Sequence, residues 1–341
     1  MDSSSLLSYL QKSYPNRISL KLNDFRDITS GWETQIFSFD LEWSTKRGKM
    51  QEGLIVRIYT PGVGAKKAER ESTVMTQLSR VGYPVPRIHL TETDDSTLGN
   101  PFIIMDRIEG STLNDKFALS DVENDKWVMV FSRLFVKLHK LDWKYFVADS
   151  RSYHPEDPFY IVKSKIAEAR ESLKHHKKQE LNPVVDWLHK RIDCVPCKKL
   201  SIIHGDFHPM NVMIDSQQNP FVIDWGAAKI SDFRNDLAWT LLLTRAYSTK
   251  ENRDFFLDGY QRTVGHDIEE IEYFEVFAIL RRLFDVSVSL DEGATELGMR
   301  EDAVEMMKEQ MGHVRVVYNL LGVLTDITIP EIETWIDSFS K

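Results

Sequence analysis

Cysteine is nearly absent, with two in 341 residues. That excludes a disulfide framework and makes a reducing, cytoplasmic setting the expectation. The two form a single C-x-x-C, Cys194 and Cys197 in "CVPC". A redox motif of that spacing needs a helix start after a strand. Here a proline and a basic run surround the second cysteine, so the pair reads as an incidental loop feature. Also missing is any apolar run approaching the roughly 20 residues that cross a bilayer. The first residues, "MDSSSLLSYLQKSYPNR", lack a basic segment leading into an apolar one and do not read as a secretory signal. No membrane partner is expected. Nor is there an excess of positive charge: 43 Lys and Arg face 52 Asp and Glu, for a net charge of −9. That balance argues against nucleic acid as a partner. The acidic excess sits at the C-terminal end, where residues 265–341 carry 17 acidic and 6 basic groups. A solvated acidic helix face is the plain reading, attraction for cationic small molecules the alternative. No internal repeat is present, and oligomeric state is open.

What is there suffices for one large domain or two lobes with a sizeable core. The first third is β-rich. "QIFSFDLEW" (35–43) and "GLIVRIYT" (53–60) alternate apolar and polar residues and are joined by the polar "STKRGKMQE", a hairpin signal. A helix is predicted over 65–80 and stopped by "GYPVPR", and "PFIIM" (101–105) is a further strand before the connector "DRIEG". Beyond it, long helices take over. In "NDKWVMVFSRLFVKLHKL" the apolar Trp127, Val130, Phe131, Leu134, Leu138 and Leu141 recur at spacings of three and four. The run "KHHKK" (174–178) reads as a solvated helix face. The expectation is an α+β arrangement: a small β-rich lobe over 1–105, a hinge over 106–110 and a larger helical lobe over 111–341, with the active site in a cleft.

Polar residues concentrate in "SIIHGDFHPMNVMIDSQQNPFVIDWG" (201–226), an otherwise hydrophobic stretch. "NVMI" and "PFVID" read as short strands around the turn-rich "DSQQNP". Antiparallel pairing would set Ile214 against Phe221, Val212 against Ile223 and Asn211 against Asp224. An amide oxygen beside a carboxylate suits Mg²⁺, a hard cation that keeps waters and takes further oxygens from phosphate. Asp206, five residues before Asn211, follows the strand "LSII" in a loop open to a hydroxyl nucleophile.

This stretch resembles the catalytic loop and metal-binding segment of the protein-kinase-like superfamily, whose signature is H-R-D, four residues, Asn, then the Asp of D-F-G. "HGDFHPMN" with "VIDWGAA" is similar, more specifically, to the aminoglycoside phosphotransferase family, which includes choline-type kinases. The resemblance implies a two-lobed kinase-like fold and an ATP- or GTP-dependent, Mg²⁺-dependent transfer of phosphate to a small-molecule hydroxyl. It implies Asp206 as catalytic base and Asn211 and Asp224 as metal ligands. His204 would brace the loop, and His208 either touches phosphate or substrate or packs the loop. "SDFRNDLAW" resembles the family's G-D-P-x-x-D-L-A segment, which makes Asp236 a supporting carboxylate; Ser231 and Phe233 depart from that pattern.

The N-terminal, nucleotide-binding lobe carries a parallel set of implied roles. Arg57 stands where a strand lysine would neutralise phosphate, with Glu71 as its helix partner and Glu69 the nearby substitute. Ser30, Gly31 and Thr34, in "TSGWETQ", would approach phosphate. The backbone of Asp106 and Ile108 would meet the adenine edge, with Met105 beside the ring or in the core. "DLAW" begins twelve residues after Asp224, too soon for an activation segment, which argues against a protein kinase. A catalytically inactive nucleotide-binding module would be suggested by loss of Asp206, Asn211 or Asp224, and all three are present. The acceptor is open. Glu269, Glu270, Glu272 and Glu275 allow an amino-sugar or quaternary amine, while Trp239, Tyr273, Phe274 and Trp335 would serve a macrolide or sugar.

Overall fold

A computed structural model of the chain describes residues 2–29, 34–60, 63–119, 123–154, 156–297, 303–309 and 311–339. The fold is α+β and falls into two compact units. One comprises the chain up to Thr112 together with Val212–Gly226; the other holds Leu113–Asn211, Ala227–Leu297 and the C-terminal helices.

The first unit opens with helix α1 (Ser3–Ser13), capped by Asp2, whose carboxylate accepts the Ser4 and Ser5 N–H groups. Strands β1 (Ile18–Asp27), β2 (Gln35–Thr45) and β3 (Gly48–Ile58) follow, then helix α2 (Val63–Arg80) and strands β4 (Ile88–Glu92) and β5 (Phe102–Asp106). The five strands form an antiparallel sheet in the order β1-β2-β3-β5-β4. Alternation sorts their side chains: Phe39, Leu41 and Trp43 of β2 and Leu54, Val56 and Ile58 of β3 meet Leu6 and Leu10 of α1 in one core. The polar "STKRGKMQE" is mostly strand. Pairing runs to Thr45↔Gly48, so the turn is only Lys46 and Arg47. Backbone ladder bonds carry the hairpin past the core's edge, where solvated side chains hide its β character. α1, β1 and β4 have no counterpart in the expected order.

Strand β6 (Gly110–Thr112) pairs with β8 (Val212–Asp215), which pairs with β9 (Pro220–Val222). The hairpin register is Val212↔Val222, Met213↔Phe221 and Ile214↔Pro220, one residue away from the expected pairing of Ile214 with Phe221. The cause is the turn. Asp215 accepts the Gln217 and Asn219 N–H groups at 2.8 Å each, and Gln218 takes φ +66, which closes the loop one residue tighter. The ladder therefore ends at Val212↔Val222, and the expected cross-strand pairing of Asn211 with Asp224 is not made.

The second unit contains α3 (Leu113–Leu119), α4 (Asn124–Lys140), α5 (Tyr160–His175), α6 (Asn182–His189), strand β7 (Leu200–Ile203), strand β10 (Lys229–Asp232), α7 (Phe233–Tyr247), α8 (Lys250–Val264), α9 (Ile271–Asp291), α10 (Ala303–Glu309), α11 (Gly312–Thr325) and α12 (Pro330–Ser338). β7 and β10 pair antiparallel, Ser201 opposite Ser231 and Ile203 opposite Lys229. The buried stripe of α4 includes Trp127, Phe131, Leu134, Phe135 and Leu138, while Val130 and Leu141 are half-buried. "KHHKK" is not a uniformly solvated face. It ends α5, where Lys178 is buried and paired with Asp291 and His176 contacts Glu292 at 3.0 Å.

Candidate active site

One constellation of polar groups lies in the helical unit, on the loop that follows β7. Gly205 holds φ +83, and a Cβ there would come within 2.6 Å of the Ala227 carbonyl oxygen. Only glycine fits that turn. Asp236, one turn into α7 and fully buried, receives the His204 N–H at 2.7 Å and the Gly205 N–H at 2.8 Å. His139 Nε2 lies 3.3 Å from Asp236 Oδ2, and its Nδ1 lies 2.9 Å from the Tyr260 hydroxyl. Two amide donors and an imidazole satisfy a carboxylate that burial alone would make costly. Phe207 is clamped from below, stacked on Phe135 with centroids 4.1 Å apart, while its carbonyl accepts the Thr240 hydroxyl. The loop is thus fixed on both sides of Asp206.

Asp206 itself accepts the Trp239 indole N–H on Oδ1 at 2.8 Å, and His208 Nε2 stands 3.5 Å from Oδ2. Burial works to raise its pKa. His208, the Trp239 donor and the Arg281 charge outweigh it and hold the carboxyl well below the usual range. The side chain is still 35% exposed, so an ionised oxygen stays within reach of a ligand. His204 is buried, its Nδ1 accepting the Asp206 N–H at 3.2 Å. The Asn211 amide nitrogen donates to the Asp206 carbonyl at 3.0 Å and lies 3.2 Å from His208 Nε2; neither contact uses Oδ1.

A second constellation lies in the sheet unit. Arg57 of β3 places Nη1 3.0 Å from Glu71 Oε1 on α2 and Nη2 2.7 Å from Asp224 Oδ1. Glu71, rather than Glu69, takes the guanidinium; it is fully buried and also accepts the Tyr59 hydroxyl at 2.6 Å. Burial opposes the Arg57 charge, but Asp224 and Glu71 hold it well above its ordinary value. Burial also raises Glu71, and Arg57 pulls it back in part. Asp224 has φ +66 and is 42% exposed, with Gly226 tied to Arg70 through its carbonyl. Thr34 is buried. The Asp106 N–H is committed to the Arg87 carbonyl at 3.0 Å, and its carboxylate contacts His89 Nε2 at 2.6 Å. Burial would raise Asp106; His89 and Arg87 lower it. Ile108 is half-buried and Met105 is core. Ser30 and Gly31 lie outside the described residues.

Trp239 and Arg281 are the two members that sequence reasoning did not place here. Trp239 is 5% exposed and serves Asp206; Tyr273 and Phe274 are core. These three therefore offer no open aromatic platform. Arg281, from α9, stacks over the Trp239 ring at 3.8 Å and donates to the Gly205 carbonyl at 2.9 Å. The spacing of "NDLAW" puts Trp239 three residues after Asp236, one helical turn along; that much signal was available. Arg281 had none. Nor do the four glutamates form one acidic patch: Glu275 is buried against Arg253 at 3.0 and 2.6 Å, and Glu269 pairs with Lys198. The Cys197 thiol is pushed up to about 12 by burial and by Asp232, which does not suit a reactive thiolate.

An antiparallel sheet unit, a helical unit and an H-G-D loop held in this way define a protein-kinase-like phosphotransferase fold. Residues 24–274 match the phosphotransferase enzyme family, abbreviated APH. The chain belongs to that family. Acyl-CoA dehydrogenase family member 10 of Mus musculus is 23% identical over 224 residues, 63% of this chain and 20% of that protein. The chain spans about a fifth to a quarter of the curated relatives it matches. Among solved structures, a protein from Ralstonia eutropha JMP134 assigned as an aminoglycoside phosphotransferase superposes with TM-score 0.60 at 16% identity, covering 93% of this chain and 98% of that one. A thermostable mutant of aminoglycoside phosphotransferase APH(4)-Ia, in ternary complex with ADP and hygromycin B, gives TM-score 0.53 at 16% identity over 92% and 98%.

Proposed function

We propose that the chain transfers the γ-phosphoryl group of ATP, or of GTP, directly to a hydroxyl of a small molecule, with Asp206 as the base. The observation that carries this reading is the setting of Asp206: anchored by the Trp239 indole at 2.8 Å and seated on a loop braced by Asp236, with neighbours that hold its carboxyl well below the usual range. Its low proton affinity makes it a weak base, suited to hydrogen-bonding the acceptor hydroxyl and taking its proton late. The acceptor oxygen bonds to phosphorus, the bond from phosphorus to the nucleotide's bridging oxygen breaks, and the nucleoside diphosphate leaves. Positioning and electrostatics supply most of the rate in such a transfer. His204 supports the loop backbone, and His208 biases the Asp206 charge.

Arg57, clamped by Glu71, is proposed to meet nucleotide phosphate; Thr34, with Ser30 and Gly31, and the backbone of Asp106 and Ile108 are assigned to the nucleotide. Asn211 Oδ1 and the Asp224 carboxylate are hard oxygen donors and fit Mg²⁺ chemically. When bound, the cation would neutralise the nucleotide's phosphate charge. Incubation with γ-labelled ATP and Mg²⁺ across aminoglycosides, macrolides, choline, homoserine and sugars tests the reading. Label should move to one acceptor class. Intact ATP binding with no transfer to any acceptor would favour the non-catalytic module.

A further inference from the structure

A cavity of about 430 Å³ opens in the helical unit, between the end of α4, the start of α5 and the segment leading into β7. Three contacts shape it. The Ser201 hydroxyl donates to the His139 carbonyl at 3.0 Å, and the Cys197 N–H donates to the Pro158 carbonyl at 2.6 Å. The Trp143 and Tyr153 rings meet edge to face, with centroids 5.5 Å apart. Among the lining residues Trp143 and Ile161 are buried and Leu200 is half-buried, which gives the cavity an apolar floor. Leu200 begins β7, whereas Asp206 follows the far end of that strand, so the cavity lies at the opposite end of β7 from the Asp206 loop.

The lining is also cationic. Lys140, Lys144, Lys198 and Lys199 contribute to it, with Asp142 and Asp157 as its carboxylates. Lys198 is paired with Glu269, and Asp157 with Lys163 at 3.0 Å. Asp142 accepts the Lys144 N–H at 3.1 Å, closing its own short turn. Lys140, Lys144 and Lys199 are exposed and take part in no ion pair among the described residues. Three ammonium groups and one carboxylate therefore remain around the apolar floor. Lys199 feels its surroundings: burial lowers its pKa, and the charge of Lys140 adds to that.

We propose that this cavity is a second ligand site, separate from the phosphotransfer centre, for a small amphipathic anion: a carboxylate on a flat apolar body. Its volume falls in the range of small-molecule sites, about 300–1,000 Å³. Covering Trp143, Ile161 and Leu200 with an apolar body removes hydrocarbon surface from water. Lys140, Lys144 and Lys199 then supply donors to the charged end. A neutral analogue keeps the first contribution and loses the second, and a cationic analogue is repelled.

The test titrates the full chain with 2-naphthoate by calorimetry, beside its neutral counterpart 2-naphthalenemethanol. The wild type should bind naphthoate at one site and more tightly than the alcohol. Lys140→Met with Lys199→Met should weaken naphthoate at least about fivefold, as expected for loss of two exposed charged contacts, and leave the alcohol unchanged. An unaltered thermal midpoint checks that the double variant is folded. Lys46→Met with Lys49→Met, two exposed lysines of the sheet unit, removes the same charge elsewhere and should bind naphthoate as the wild type does. Absence of naphthoate binding, equal affinity for acid and alcohol, or equal affinity in the wild type and the Lys140/Lys199 variant would each overturn the inference. So would an equal loss in the Lys46/Lys49 variant, which would show a response to net charge alone. None of these outcomes depends on phosphate transfer.

Discussion

Replacing Trp239 by phenylalanine removes one donor and keeps the ring. The indole N–H reaches Asp206 Oδ1 at 2.8 Å, while the ring also supports Arg281 at 3.8 Å. A hydrogen bond to a charged group contributes about 1.5–3 kcal/mol. Asp206 is 35% exposed, so the lower end applies, and about 1.4 kcal/mol corresponds to a tenfold change or one pH unit. The sign follows from the depressed carboxyl: its ionised form persists well below the ordinary carboxylate range, and losing a donor raises its proton affinity. Trp239→Phe should therefore lower kcat about tenfold and move the acid limb of the kcat profile to higher pH by about one unit. Steady-state kinetics against pH, on the acceptor identified by phosphate transfer, reads both quantities. An unchanged profile with unchanged kcat would refute the assignment of Trp239 as the residue that positions Asp206.

Other substitutions probe the supports. Asp236→Asn removes a charged acceptor from the His204 and Gly205 N–H groups and should cost about 2 kcal/mol of stability in urea unfolding, with kcat falling as the loop loosens. Gly205→Ala meets a left-handed φ and a carbonyl 2.6 Å away; a loss of about 1–3 kcal/mol is expected, and wild-type stability would show that the turn relaxes freely. Glu71→Gln leaves the buried Arg57 guanidinium with Asp224, which is 42% exposed, as its carboxylate partner. Breaking a buried pair should cost about 3 kcal/mol and weaken nucleotide binding measured by calorimetry; a change below about 0.5 kcal/mol would place it among ordinary surface substitutions.

How much of this was legible in the sequence depended on whether partners were local. The Asp206-to-Asn211 spacing, the β7 strand and the β2–β3 hairpin lie within short windows, where pattern and turn chemistry act directly. The β8–β9 register failed by one residue because Gln218 adopts a left-handed conformation that composition does not mark. Of the missed α1, β1 and β4, β4 spans only five residues and β1 carries two register irregularities. Arg281 was out of reach, since its place beside Gly205 comes from the packing of α9, more than seventy residues downstream. The Arg57 contact to Asp224 is likewise tertiary. The family resemblance named the residues of the loop, while the structure shows what holds Asp206 ionised.

The most direct measurement is single-turnover transfer of γ-labelled phosphate from ATP to the acceptor, comparing the wild type with Asp206→Asn at equal, verified nucleotide occupancy. Removing a general base costs about 10²–10⁴-fold. The asparagine variant should bind nucleotide as the wild type does and transfer at least about a hundredfold more slowly. Equal transfer rates in the two proteins would contradict the assignment of Asp206 as the base.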